Sequence, residues 1–162
     1  MVTSIHKKRK NLEISVAIIT RDRAKSLFRC LTSLEKQKKA LLKEVLVVDN
    51  ASTDSTKEIA LSFQKTLPIR YLKETKVGIP YARNRALQEA KGKLLAFIDD
   101  DCEATPTWIE EMVKANKKHP TATAIQGNSI YKPERSIMST IVALDQVFWF
   151  HLNTIQKNQL LI

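Results

Sequence analysis

An α/β fold, with a mostly parallel sheet flanked by helices, is predicted by three observations on this sequence. Four short runs, at residues 14–19, 45–48, 69–72 and 94–98, read as strands, and segments of helical spacing lie between them. The runs read as apolar stretches rather than alternating patterns, as expected of strands buried on both faces. Three of the four end in polar or acidic clusters: Thr20-Arg21-Asp22, Asp49-Asn50 and Asp99-Asp100-Asp101. In a doubly wound sheet the ligand sits outside the carboxyl ends of the strands, so these clusters are expected to converge on one edge.

The elements follow in order. After the first strand, Leu27, Leu31 and Leu34 stand at helical spacing. The second strand closes at Asp49-Asn50. Ser55 and Glu58 then form the pattern of a capping box, with Asp54 in the same capping system, for a helix carrying Ile59, Phe63 and Leu67 on one stripe. The third strand is 69–72. Gly78 and Pro80 open a helix through Ala86, Leu87 and Ala90, which Gly92 is expected to stop. After the fourth strand, Thr105-Pro106 reads as the cap and first position of a helix bearing Trp108, Met112 and Val113. Residues 123–125 read as a further strand. Ile137, Ile141, Phe148, Leu152 and Ile155 then keep roughly helical spacing, with Trp149 and Phe150 adding bulk. Core packing is the first expectation for that stretch, an acceptor groove or an interfacial helix the others. Leu160-Leu161-Ile162 is apolar with no closing element, so the sequence is expected to stop inside a larger domain.

Composition narrows the class. With 162 residues, 43% hydrophobic and 27% charged, the chain suits one globular domain with a real core. Of the net charge of +10, four charges come from His6-Lys7-Lys8-Arg9-Lys10, in a segment without apolar periodicity. Residues 1–12 are therefore expected to be a disordered basic arm, with peripheral membrane contact a secondary expectation and no nucleic-acid partner. Cys30 and Cys102 have no metal-type or redox spacing and are expected to be buried thiols. Without a signal-peptide pattern or a run near the ~20 apolar residues of a membrane span, a cytoplasmic location is expected, with association at the cytoplasmic face of a membrane as the secondary expectation. His119 and His151 are isolated and receive no role.

The acid triplet carries the chemistry. Three carboxylates at the end of a buried strand repel one another unless a cation joins them, and a hard divalent ion such as Mn²⁺ or Mg²⁺ suits clustered carboxylate oxygens. The alternative is a solvated polar turn. The only glycines are Gly78, Gly92 and Gly127, too far apart for a phosphate-binding P-loop or a dinucleotide-binding turn. A phosphorylated ligand would need its charge neutralised otherwise: a metal on Asp99 and Asp101 can bridge two phosphates and stabilise a departing diphosphate. Arg83, beside Asn84 on the turn nearest the site, is assigned to function, and Arg85 to a solvated helix face. Asp49-Asn50 ends its strand where a base or ribose can be held, or simply forms an Asx turn. A signalling receiver domain would need an acidic pair after the first strand, and a haloacid-type phosphatase an Asp-x-Asp there; Thr20-Arg21-Asp22 is neither.

Residues 47–54 (Val-Val-Asp-Asn-Ala-Ser-Thr-Asp), Gly78 followed by Ala82-Arg83-Asn84, and Phe97-Ile98-Asp99-Asp100-Asp101 together resemble the family 2 glycosyltransferases. The resemblance covers about residues 13–132 and implies a Rossmann-like GT-A fold that binds a nucleotide-diphosphate sugar. It also implies a divalent metal and an inverting displacement onto a glycan, lipid-linked or other hydroxyl acceptor. By this resemblance Thr20 lies against the nucleotide, and Asp49 and Asn50 read base and ribose. Arg83 and Asn84 line the donor site, and Asp99 to Asp101 match the DxD motif. Asp101 is then the direct metal ligand, and Asp99 or Asp100 serves the ribose or supports the metal. Many members have a second Asp where this chain has Asn50. The family's general base lies further downstream, so it is expected beyond Ile162, and Asp145, in an apolar pattern, is a poor substitute. Residues 133–162 would begin the acceptor side. The alternative is a truncated, non-catalytic remnant that keeps nucleotide binding only.

Overall fold

Each of the four runs becomes a strand, and a helix follows every one of them. The protein, described here by a computed structural model, is defined over residues 13–127 and, for the backbone alone, 147–151. In chain order the elements are β1 (Ile14–Thr20), α1 (Ala24–Leu34), β2 (Leu42–Asp49), α2 (Thr56–Ser62), β3 (Ile69–Lys73) and α3 (Ile79–Glu89). They continue with β4 (Leu94–Phe97), α4 (Trp108–Lys118), β5 (Ala124–Gly127) and β6 (Val147–His151). The strands form one sheet in the order β3-β2-β1-β4-β6-β5. β1 pairs in parallel with β2 and with β4, and β2 in parallel with β3; β6 runs antiparallel to β4 and to β5. No helix of the described residues is long and apolar enough to cross a membrane.

The path of the chain explains why both faces are covered. β1, β2 and β3 step outward in one direction, and the next strand returns to the other side of β1. Right-handed crossovers put the helices of opposite steps on opposite faces. Consistent with this, Leu27, Cys30, Leu31 and Leu34 of α1 share one apolar cluster with Ala60 of α2 and Ile109, Met112 and Val113 of α4. Ala82 and Ala86 of α3 pack with Ala17, Leu46, Val48, Leu95 and Phe97 on the other face. Full burial of a Leu or Ile contributes roughly 1.5–3 kcal/mol, so these clusters dominate the stability of the sheet. The reversal between β1 and β4 is also the topological switch point, where doubly wound sheets open a crevice for ligand.

Several local expectations change in the folded chain. The helix of the capping-box pattern stops at Ser62 and continues as a 3₁₀ turn, Phe63–Lys65, although Phe63 and Leu67 still reach the core. Ser55 holds the N-cap position but makes no side-chain capping bond; Asp54 Oδ1 accepts the Thr56 N–H at 3.0 Å instead. Gly92 does not end α3, which closes at Ala90; a Cβ at Gly92 would lie 2.5 Å from the Ser15 nitrogen, so the glycine permits a close strand approach. α4 begins at Trp108 rather than Pro106, and its cap comes from another part of the chain. Gln37 Oε1 accepts the Ile109 N–H at 3.1 Å while Gln37 Nε2 donates to the Thr105 carbonyl at 2.8 Å. Cys30 is buried as expected, and burial pushes its thiol well above its ordinary value, whereas Cys102 is only half-buried.

Phe148, Trp149 and Phe150 depart furthest from the helical spacing of the sequence. They belong to strand β6, not to a helix, and β6 pairs with β4 through Ala96↔Trp149 and Leu95↔Phe150. A run of aromatic and β-branched residues favours a pleated strand, and the open edge of β4 supplied the partner. Residues 1–12, Ile137, Ile141, Asp145, Leu152, Ile155 and the terminal apolar residues lie outside the described residues.

The end of the sheet opposite the acidic clusters is locked by a polar network. Glu44, buried at the start of β2, accepts Ser15 Oγ at 2.7 Å, the Lys91 N–H at 2.6 Å and Arg70 Nη1 at 2.6 Å. Arg70 reaches on to Glu89 Oε2 at 2.9 Å, so β1, β2, β3 and the end of α3 share one ion. Burial pushes the Glu44 carboxyl up, but the Arg70, Ser15 and Lys91 donors outweigh it and hold it below its ordinary 4.5. A depressed carboxyl stabilises the fold above its unfolded value, and that stability is lost as pH falls through the folded value. Urea unfolding should therefore show stability declining below about pH 4.5. Glu44→Ala should cost about 2–3 kcal/mol at pH 7 and flatten that decline.

Candidate active site at the carboxyl edge of the sheet

Three loops meet at the carboxyl ends of β1, β2 and β4. β1 and β2 set their last residues opposite each other, Thr20 against Asp49, and the Asn50 N–H donates to the Thr20 carbonyl at 2.9 Å. On the other side of β1, the Ile98 N–H donates to the Ala17 carbonyl at 3.1 Å, which carries the acid triplet to the same edge.

The loops after β1 and β2 are strapped together side chain to backbone. Asp22 Oδ1 accepts the Thr53 N–H at 2.6 Å and Thr53 Oγ1 at 3.1 Å, and Ser52 Oγ accepts the Asp22 N–H at 3.0 Å. Asp54 Oδ2 accepts the Ala24 N–H at 3.0 Å, so one aspartate caps the starts of both α1 and α2. Hydrogen bonds from Thr53 hold Asp22 below its ordinary value, and those from Thr56 do the same for Asp54, so both straps are carboxylates at neutral pH. The turns need left-handed backbone at Asp22, φ 51°, and at Ala51, φ 62°. Aspartate tolerates that region; alanine has no compensating side chain and is strained there.

The candidates identified in the sequence occupy distinct positions in this frame. Thr20 is 2% exposed, and among the described residues its buried hydroxyl has no hydrogen-bond partner. Asp49 is equally buried; Oδ1 accepts the Ser52 N–H at 2.7 Å and Oδ2 accepts the Tyr71 hydroxyl. Burial and then the bond to Asp49 raise the Tyr71 phenol above its ordinary value, so it stays a donor. Asn50 is a clamp: Oδ1 accepts the Gly78 N–H and Nδ2 donates to the Lys76 carbonyl, both at 2.7 Å. This fixes the loop into α3, whose Val77, Ile79 and Tyr81 stand about half exposed. Gly78, at φ 140°, makes the turn that a side chain would strain.

Asp99 is half-buried, Asp100 buried and Asp101 exposed. Arg23 joins the last two: its Nη1 lies 3.1 Å from Asp100 Oδ1 and 2.9 Å from Asp101 Oδ2. Asp100, the larger influence, raises the guanidinium above its ordinary value. Arg83 and Asn84 sit half-buried in α3, on the face opposite α1, and among the described residues Arg83 makes no ion pair. Arg85, expected on a solvated helix face, is instead half-buried and pairs with Glu89 at 3.3 Å along its own helix. No group of three or more His, Cys, Asp or Glu side chains among the described residues forms a closed metal cage. The donor set is instead one or two carboxylates at an open edge. That suits Mg²⁺ or Mn²⁺, which complete their coordination with water and substrate phosphates.

Sequence reasoning missed Arg23, Tyr71 and the straps through Asp22. Arg23 lies 77 residues from Asp100, a separation that no local pattern reveals.

The glycosyl transferase family 2 model matches residues 15–160. The chain belongs to this family. Among curated relatives, glycosyltransferase AglE of Haloferax volcanii is 38% identical over 104 residues, covering 62% of this chain and 34% of that protein. Validoxylamine A glucosyltransferase of Streptomyces hygroscopicus subsp. jinggangensis is 34% identical over 117 residues, 70% of this chain and 28% of its own length. The chain thus spans about a third of these family members. The S. aureus TarS structure in complex with UDP-GlcNAc superposes with a TM-score of 0.72 at 21% identity, over 86% of this chain and 45% of that one. Mannosyltransferase PcManGT from Pyrobaculum calidifontis, in complex with GDP-Man and Mn²⁺, gives 0.69 at 23%, over 88% and 45%. The fold is therefore the GT-A glycosyltransferase fold implied by the resemblance. Ala51→Gly should relieve the strained turn of this family 2 domain and raise its stability by about 1 kcal/mol. Thermal unfolding measures it, and an unchanged or lower midpoint would count against strain at that residue.

Proposed function

We propose that this chain is the donor-binding part of a glycosyltransferase. It transfers a sugar from a nucleotide diphosphate to an acceptor hydroxyl, with inversion at the anomeric carbon and with Mn²⁺ or Mg²⁺. The observation that carries the reading is the buried, unpartnered Thr20 hydroxyl, beside Asp49 and the acid triplet at one edge of the sheet. An unsatisfied buried hydroxyl costs roughly 1–3 kcal/mol, a cost that a polar ligand atom offsets. Family membership and the neighbours' complexes, TarS with UDP-GlcNAc and PcManGT with GDP-Man and Mn²⁺, support the same ligand class.

In this reading Asp49, whose two oxygens retain lone pairs beyond Ser52 and Tyr71, accepts from the base or ribose. Asn50 shapes the wall of that subsite through Lys76 and Gly78. Arg83 brings an uncommitted cation and Asn84 an amide to the donor. Asp101, exposed, is the direct ligand of the cation with Asp99 beside it, and Asp100 is the buried support. The cation, when bound, neutralises the charge of the departing diphosphate. A general base that accepts the acceptor's proton contributes roughly 10²–10⁴ in rate, and the donor-binding residues named above do not supply it. The acceptor is a glycan, a lipid-linked saccharide or another hydroxyl, and the reaction takes place in the cytoplasm, with the basic arm available to a membrane surface.

Titration calorimetry of the folded chain with UDP, GDP and dTDP, with and without Mn²⁺, tests the reading. Binding of at least one nucleotide that strengthens with Mn²⁺ is expected; no metal-dependent binding of any would overturn it. Asp101→Asn should remove the Mn²⁺-dependent gain, and Thr20→Val should weaken nucleotide binding about fivefold.

A further inference from the structure

We infer that Arg23 is a positioning residue that holds Asp101 in the cation-free protein and yields it to the cation, so that cation and donor phosphates bind as a coupled pair. This rests on the proposed metal site at Asp101 and extends it to a residue outside the acid triplet.

The geometry of Arg23 carries the inference. A single nitrogen, Nη1, serves both Asp100 and Asp101, and among the described residues Nε and Nη2 make no hydrogen bond. The two contacts are unequal in kind. Asp100 is buried and needs a counter-ion wherever the triplet stands, whereas the Asp101 side chain is 47% exposed and can change partners without stranding a buried charge. The backbone at Arg23 is held in place, because both of its chain neighbours are strapped to the loop after β2: Asp22 to Thr53, and Ala24 to Asp54. A cation that takes Asp101 therefore displaces a fixed competitor. The released guanidinium remains paired with Asp100, and its unused N–H groups suit phosphate oxygens. Cation alone meets competition from Arg23; cation with a diphosphate turns that competitor into a donor for the phosphates.

The test titrates Mn²⁺ into the full chain and into Arg23→Gln, following free Mn²⁺ by its paramagnetic resonance, alone and with UDP, GDP or dTDP. Arg23→Gln should bind Mn²⁺ alone roughly 1.5- to fivefold tighter, the worth of a partly exposed ion pair. The gain in Mn²⁺ affinity that the nucleotide confers should shrink by at least the same factor. A purely structural role would instead weaken both. Because Arg23→Gln strands the buried Asp100, the comparison is repeated between D100N and R23Q/D100N, where loss of Arg23 strands no buried carboxylate; the double variant should again bind Mn²⁺ more tightly. Unchanged or weaker Mn²⁺ binding on loss of Arg23, in a protein whose wild type binds Mn²⁺ with nucleotide, overturns this role and leaves the metal site standing. A wild type that binds no Mn²⁺ under any of these conditions overturns both.

Discussion

The site depends on β1 lying between two parallel partners, β2 on one side and β4 on the other. Parallel pairing brings carboxyl ends to the same edge, and the register places Thr20 opposite Asp49 while Ile98 leads the acid triplet out beside Ala17. Slipping one strand by a residue would turn every side chain to the wrong face. Val16 and Ile18 would then leave the cluster they share with α1, and Ala17 would leave the packing under α3. The packing of β1 against a different apolar cluster on each face therefore holds the polar ends in place.

Around that frame, polar side chains at the two ends of the sheet do different work. At the opening end of the strands, Glu44, Ser15 and Arg70 form an enclosed network that ties four segments together and is far from the candidate site. At the carboxyl end, hydrogen bonds run from side chain to loop backbone: Asp22 to Thr53, Asp54 to Ala24 and Thr56, Asn50 to Lys76 and Gly78. Fixed loops hold the backbone of Thr20 and Arg23 in place before any ligand arrives, and Arg23 in turn holds Asp101. Preorganisation of this kind reduces what binding must order.

Much of this was legible in the sequence, and the reasons differ by element. Strands β1, β2 and β4 were readable because their apolar runs are long enough to need burial on two faces, and their polar ends marked the edge. The triplet stood out because clustered like charges demand a partner. The strand at Val147–His151 was misread because its aromatic spacing is compatible with a helix as well, and only the open edge of β4 decided between them. Gly92 looked like a helix stop, but the neighbour that requires it, Ser15, is 77 residues away. The cap of α4 comes from Gln37, which no capping pattern near Trp108 could announce.

What the sequence by itself determined, then, is the order of strands and helices, the family motifs and the identity of the acids at the strand ends, all of which depend on residues close together along the chain. Tertiary structure alone decided which of those acids stay buried, which are already spent as straps between loops, and which cation meets them. Those outcomes depend on desolvation and on pairings across 30 to 77 residues, such as Ala24 with Asp54 and Arg23 with Asp100, and such energies exist only once the chain has folded.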